Sequence, residues 1–260
     1  MRINAVHSVA FSPCGGTLKA LKAVVSGSPV TAKEHDLTRP AERQNKLSFG
    51  PEDLVYFAFP VYGGHLPAVA SEVFDLLSAD HTPAVLVAVY GNREFEGAFL
   101  EMQKLAQARG FKPVGAVAAV AEHSIAPEVA AKRPDTADVR ALSDFGRKIF
   151  DRISAQTDIE SFTFEAPGFM PDRPPSAGNP FSPTTDTDLC TDCGQCVTAC
   201  PVGAVSEDPA HTTSEVCLGC MACLKVCPVE ARVLLNPKVP EIKAWLRSIT
   251  AERKEVQTFF

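Results

Sequence analysis

Eight of the nine cysteines in this 260-residue chain lie between Cys190 and Cys227, and they spell one pattern twice. Cys190, Cys193, Cys196 and Cys200 run into Pro201; Cys217, Cys220, Cys223 and Cys227 run into Pro228. The second copy follows the first at an offset of 27 residues with every spacing kept. Two-residue gaps let a tight loop bring three thiolates to three irons of one cubane, and the fourth cysteine falls where the chain turns away. A proline after it fixes the backbone torsion and removes a donor, which suits that exit. Gly194, Gly219 and Ala222 between the thiols let the backbone come close to sulfide and donate N–H bonds to it. A disulfide framework would need an oxidising compartment. Two zinc sites would use pairs of CxxC without the third cysteine or the proline. Two [4Fe–4S] clusters are the reading these spacings favour, with zinc and disulfides as the rivals.

The elements that must carry this stretch begin at the other end of the chain. Ile3 to Phe11 is a short apolar run read as a buried strand; Ser12-Pro13-Cys14-Gly15-Gly16-Thr17 follows, and Leu18, Leu21, Ala23 and Val24 then fall at helical spacing. A strand, a loop of small residues and a helix aim backbone N–H groups at a phosphate. This loop has neither the dinucleotide fingerprint nor the lysine of a nucleotide P-loop, so a monophosphate suits it better than a triphosphate. Three more apolar runs, Leu54 to Phe59, Ala84 to Tyr90 and Val114 to Ala121, predict buried strands, and a short strand near Val30 is weakly marked. Helices are predicted through Val69, Val73, Phe74 and Leu77, through Phe99, Met102, Leu105 and Ala106, and from about Thr136 to Ile153. Strands alternating with helices specify a parallel sheet covered on both faces, with ligands bound beyond the C-terminal ends of its strands.

The cysteine stretch, over about Thr184 to Asn236, resembles bacterial-type two-cluster ferredoxins. Phe11 to Thr17 is similar to the flavodoxin phosphate loop, and Pro60-Val61-Tyr62-Gly63-Gly64 and Tyr90-Gly91-Asn92-Arg93 to its two flavin-flanking loops. The whole chain resembles the fused flavodoxin-like and two-cluster ferredoxin proteins of anaerobic bacteria and archaea. That resemblance implies an α/β fold: a flavodoxin-like doubly wound parallel sheet of order 2-1-3-4-5 over residues 1–154, a proline-rich linker over 155–183, a small α+β ferredoxin domain over 184–236, and a C-terminal helix and tail over 237–260. It implies crossed ligation, with one cluster on Cys190, Cys193, Cys196 and Cys227 and the other on Cys217, Cys220, Cys223 and Cys200. It also implies FMN, with phosphate at Ser12, Cys14, Gly15, Gly16 and Thr17 and the isoalloxazine between the Tyr62 and Tyr90–Arg93 loops.

Cys14 departs from the family, which usually carries a hydroxyl there. A thiol is a weaker donor; the residue is read as filling space, with a pKa lowered by the helix N-terminus. His65 and His123 are candidates for the flavin or substrate side. In the linker, Pro167, Pro171, Pro174, Pro175, Pro180 and Pro183 exclude regular helix, and Ser161 to Glu165 alternates as a short edge strand would. Ile242, Trp245, Leu246 and Ile249 predict a last helix docked by an apolar stripe.

Net charge is −6, and Thr184 to Leu235 holds seven acids, Asp208 among them, against Lys225 and Arg232. Such a segment steers redox partner proteins with a basic docking face and argues against nucleic acid. No apolar run is long enough to span a bilayer. Met1-Arg2-Ile3-Asn4 leads straight into a strand without a secretory signal, so a reducing cytoplasm is expected. The combined expectation is an electron-transfer oxidoreductase relaying low-potential electrons between the clusters and FMN. The alternatives are a flavin-dependent reductase of a small-molecule acceptor, helped by His65, Arg93 or His123, and a ferredoxin with a cofactor-free flavodoxin-like docking domain.

Overall fold

The computed structural model describes residues 1–171, 181–207 and 211–260. Pro174, Pro175, Pro180 and Asp208 lie outside the described residues. In chain order the elements are β1 (Ala5–Ala10), α1 (Gly16–Val25), β2 (Ala32–Asp36), β3 (Leu47–Phe49), β4 (Asp53–Pro60), α2 (Ala70–Asp75), β5 (Leu77–Ala79), β6 (Thr82–Tyr90), α3 (Ala98–Ala108), β7 (Phe111–Val120) and α4 (Thr136–Ser154). They continue with β8 (Thr184–Thr185), α5 (Gln195–Ala199), α6 (Ala222–Lys225), β9 (Arg232–Val233), α7 (Val239–Ile249) and β10 (Gln257–Phe259).

Side chains alternate across the central strands, as the pleat requires. On β4, Phe57 and Phe59 join one core with Val73 and Phe74 of α2 and Phe99 and Met102 of α3. Tyr56 and Ala58 join the other, with Leu21 and Val24 of α1 and Leu142, Phe145 and Ile149 of α4. Burial on both faces is why these strands read as continuous apolar runs. The principal sheet runs β2-β1-β4-β6-β7-β10. Its first five strands are parallel, and numbered by their order in the chain they give 2-1-3-4-5. This is the flavodoxin-like order, whose switch point lies between β1 and β4. The α1–α4 face closes backbone to backbone: a Cβ on Gly146 would stand 1.9 Å from the Val24 carbonyl oxygen.

Three expectations are corrected, and the tail forms a strand that was not anticipated. Ser161 to Glu165 forms no strand; Ile159–Ser161 is one turn of 3-10 helix held by the Asp158 side chain. Leu77 leaves α2 for β5, which pairs with β3 in a separate two-stranded parallel sheet. The C-terminal tail returns as β10, antiparallel to β7, and covers the edge that strand would expose. α7 does dock, through Leu246 and Ile242 against Ala126, Val129 and Ala130, but Trp245 is 51% exposed and lies off the buried stripe.

The cysteine-bearing part is small. β8 and β9 pair antiparallel, and Cys196, Cys200, Ala204, Val205 and Cys223 form its buried cluster. A core made partly of sulfur has little apolar area to bury, so a bound cluster would contribute much of its stability.

Candidate functional site

Each cysteine repeat begins with residues that make a tight loop. Gly194 (φ +68°) and Met221 (φ +65°) take left-handed conformations at the heads of α5 and α6, and Gly219 does the same at φ +62°. These turns fold each CxxCxxC loop back on itself. Cys190, Cys193, Cys196 and Cys227 line one cavity, with Gly194, Ala231 and Arg232 in its wall. Three of these thiols come from the first repeat and one from the second. Of the other four, Cys200, Cys220 and Cys223 are each 8% exposed, and Cys200 and Cys217 pack in one apolar cluster with Cys223.

Donors reach the sulfurs in a pattern that follows the sequence repeat. Ala204 N–H donates to Cys200 Sγ at 3.1 Å, and Ala231 N–H, 27 positions on, donates to Cys227 Sγ at 3.2 Å. Gly219 N–H reaches Cys217 Sγ at 3.4 Å. At Cys227 burial, the largest single effect, pushes the thiol up, but the N–H groups of Arg232, Val229 and Ala231 together outweigh it and hold the thiol below its usual pKa. Burial pushes Cys223 up, with Arg232 pulling the other way. Among the described residues no three His, Cys, Asp or Glu side chains are grouped to hold a metal ion. Each thiolate of a cubane binds its own iron, so such ligands ring a cavity instead of meeting at one point. Thiol donors, aimed N–H groups and a cysteine-lined cavity fit an iron–sulfur cluster.

The loops matched to flavin binding are engaged by other parts of the chain. Gly15 caps α1 in the left-handed region (φ +83°). Ser12 Oγ accepts from Leu18 N–H at 2.8 Å, and Ser12 N–H donates to Thr38 Oγ1 at 2.8 Å. Thr17 is 4% exposed. Cys14 Sγ donates to the Cys220 carbonyl at 2.9 Å, and Lys225 Nζ donates to the Cys14 carbonyl at 2.9 Å. Burial pushes the Cys14 thiol up to about 11, opposite to the lowering expected at a helix N-terminus.

The second and third loops are held in the same way. Burial beside Cys220 and Cys14 raises the Tyr62 phenol well above its usual value. Pro60 ends β4, and the next residue, Val61, donates its N–H to the Val89 carbonyl at 2.8 Å. Gly63 and Gly64 have positive φ, and a Cβ on Gly64 would run into Glu96. Tyr90 ends β6 beside Gly91, where a Cβ would meet the His123 ring at 2.4 Å. Asn92 Nδ2 donates to the Thr250 and Glu252 carbonyls at 3.0 and 2.8 Å, and its Oδ1 accepts from Lys254 N–H at 3.0 Å. Arg93 pairs with Glu96 at 2.7 Å, and Lys254 Nζ bonds to the Arg93 carbonyl. An FMN phosphate at Cys14 would meet the Cys220 carbonyl, and the tail fills the Asn92 side. As folded, the Cys14, Asn92 and Arg93 side chains are bonded within the chain, while the space beside Gly15 is open.

Both candidate histidines act as braces. His65, 3% exposed, pairs through Nδ1 with Glu101 at 2.5 Å. His123 Nδ1 accepts from Ile125 and Ala126 N–H, at 3.2 and 3.4 Å; burial lowers its pKa. Between the two parts of the chain lies a cavity of about 480 Å³ whose lining includes Tyr62, Arg43 and Glu72 on one side and Glu215, Cys217 and Leu218 on the other. Arg43 spans the same junction, donating to the Pro201 carbonyl at 2.7 Å. Contacts between residues some 200 positions apart leave no periodic signal, and only the duplicated cysteine spacing could have pointed to that face.

Residues 182–229 match the family model of the 4Fe-4S dicluster domain. No curated protein matches the chain. Similar solved structures include a flavodoxin from the domain Archaea, 10% identical, with 58% of this chain and 99% of that one covered and a TM-score of 0.39. Megasphaera elsdenii flavodoxin is 14% identical over 56% and 98%, with a TM-score of 0.37. An azoreductase from Bacillus anthracis str. Sterne is 14% identical over 58% and 100%, also at 0.37. The flavodoxin-like assignment rests on the sheet order itself. The chain joins a sheet of flavodoxin-like strand order to a segment that matches the 4Fe-4S dicluster domain. Among the described residues no helix is long and apolar enough to cross a membrane.

Proposed function

We propose that this chain is an electron carrier holding two [4Fe–4S] clusters, one on Cys190, Cys193, Cys196 and Cys227 and the other on Cys217, Cys220, Cys223 and Cys200, and that its flavodoxin-like part is a rigid seat for the second of them. The observation that carries this reading is the cavity in which Cys227 joins the three thiols of the first repeat. Bound clusters supply one-electron exchange at low potential. The protein's own contribution is to bury Cys196, Cys200, Cys220 and Cys223 to 8% exposure, to aim N–H groups at sulfur, and to leave Cys193 exposed as the point nearest solvent and a docking partner. The acidic balance around it favours a partner with a basic face. The same proposal divides the chain at 1–154, 155–183, 184–236 and 237–260, with the last segment serving the first through β10.

A second reading adds an FMN as the end of a relay, within reach of a small-molecule acceptor. What favours it is that Tyr62 and Cys217 share the cavity of about 480 Å³, a volume in the range of ligand pockets. The Cys14–Cys220 and Asn92–tail contacts favour the carrier without flavin. Protein purified and reconstituted without oxygen decides. The carrier reading expects visible absorbance that bleaches on reduction and paramagnetic signals from two coupled clusters, with no flavin in the extract. A colourless, iron-free protein would overturn it, and bound flavin would favour the relay.

A further inference from the structure

The two cysteine repeats align with every cysteine spacing kept, and among the aligned positions buried in both copies the residue type changes at one. Ala204 and Ala231 play matching roles toward Cys200 and Cys227. The next residue is Val205 in the first repeat and Arg232 in the second, and both are 4% exposed. A long cationic side chain thus fills a site that its counterpart fills with an isopropyl group.

The guanidinium is held from several sides. Nη1 donates to Thr185 Oγ1 at 2.5 Å. Nη2 donates to the Pro183 carbonyl at 3.0 Å, to Thr212 Oγ1 at 2.6 Å, and toward Cys223 Sγ at 3.8 Å. Arg232 also lines the cavity of Cys190, Cys193, Cys196 and Cys227. The same residue therefore reaches a sulfur of one ligand set through its guanidinium and forms part of the wall of the other. Electrostatic attraction is strongest where water is excluded, and hydrogen bonds to cluster sulfur and nearby charge set reduction potentials.

We propose that Arg232 is a positioning and potential-setting residue shared by the two cluster sites: its fixed positive charge stabilises the reduced form of both clusters and makes electrons easier to accept. One electron entering a cluster adds one negative charge next to the guanidinium, and no proton need follow because arginine stays protonated. The effect is largest on the cluster bonded through Cys223.

This inference rests on the two-cluster reading, and its failure is distinguishable from failure of that reading. The test is a redox titration, followed by paramagnetic resonance, of the full chain reconstituted without oxygen, as wild type, Arg232→Lys and Arg232→Gln. The Gln variant keeps donors and loses charge; its reduction equilibrium is expected to shift at least tenfold toward the oxidised form, about 59 mV for one electron. The Lys variant keeps the charge and should stay within about threefold of wild type, roughly half that shift in potential. A Gln variant loaded with iron and titrating like wild type overturns the proposal. If the Gln variant takes up no iron, the Lys variant decides: an unmoved potential supports the role, and a tenfold fall, or no iron in either variant, overturns it. Absence of iron from the wild type sinks the two-cluster reading instead.

Discussion

The Cys14 thiol donates to the Cys220 carbonyl at 2.9 Å across 206 residues of sequence. The turn that a flavodoxin would use for phosphate here grips the backbone of a cluster loop. Lys225 adds a second tie by donating to the Cys14 carbonyl at 2.9 Å. Titrating FMN into the wild-type protein should therefore leave flavin fluorescence unquenched. Quenching that saturates at one FMN per chain would contradict the packing at this junction.

The aromatic core below the junction predicts a large cost for one truncation. Phe57 packs at 4.9 Å from Phe74 and 4.8 Å from Phe111 between ring centroids, and the three are 0–3% exposed. Phe57→Ala should cost about 3–5 kcal/mol, read as a lower denaturation midpoint in urea. A loss under about 1 kcal/mol would mean that the site collapses around the gap.

Asn92 is the clamp on the tail. It sits at φ +63°, where asparagine is tolerated and alanine is strained. Asn92→Ala also removes three hydrogen bonds to residues 250, 252 and 254. Loss of about 2–3 kcal/mol is expected, with faster hydrogen exchange at Thr258 and Val117, which face each other in the β10–β7 ladder. Unchanged exchange there would show that β10 holds without the clamp.

A pH effect follows from His7 and His35, whose rings stack at 5.4 Å between centroids. Burial lowers both pKa values; at His7 Asp53 opposes this and Lys33 adds to it, and at His35 both His7 and Lys33 add to it. Phe49 closes the group edge-on to both rings. With folded values below the unfolded one, the unfolded chain binds protons first as pH falls. The stabilisation is complete above the unfolded pKa of about 6.5 and is lost as pH drops through it toward the folded values. The melting temperature of wild type should fall more steeply between pH 7.5 and pH 5.5 than that of His35→Gln (roughly one unit either side of that pKa). Parallel curves would contradict the assignment.

What could be read from the sequence followed from which forces leave a local trace. β4, β6 and β7 were legible because burial on both faces writes an unbroken apolar run. β2, with the sequence AKEHD on the sheet edge, is exposed or half-buried along its length and leaves almost none. β10 is three residues whose strand character comes from the β7 edge it covers. The duplicated cysteine motif was legible because its fixed gaps are written locally; the crossing of Cys227 to the first repeat came only from the resemblance to two-cluster ferredoxins. The Cys14–Cys220 bond, the Asn92 clamp and the bracing roles of His65 and His123 depend on which distant segments meet, and no periodicity reports that. Trp245 shows the converse: its helical spacing was right, while its place on the helix surface was set by where Ala126 and Val129 happen to lie.

The most direct test of the central claim is the metal and sulfide content of wild-type protein prepared without oxygen. Two cubanes ligated by the eight repeated cysteines require about eight iron and eight acid-labile sulfide per chain. Stoichiometric zinc without sulfide, or cystine bonds among those eight thiols, would contradict it.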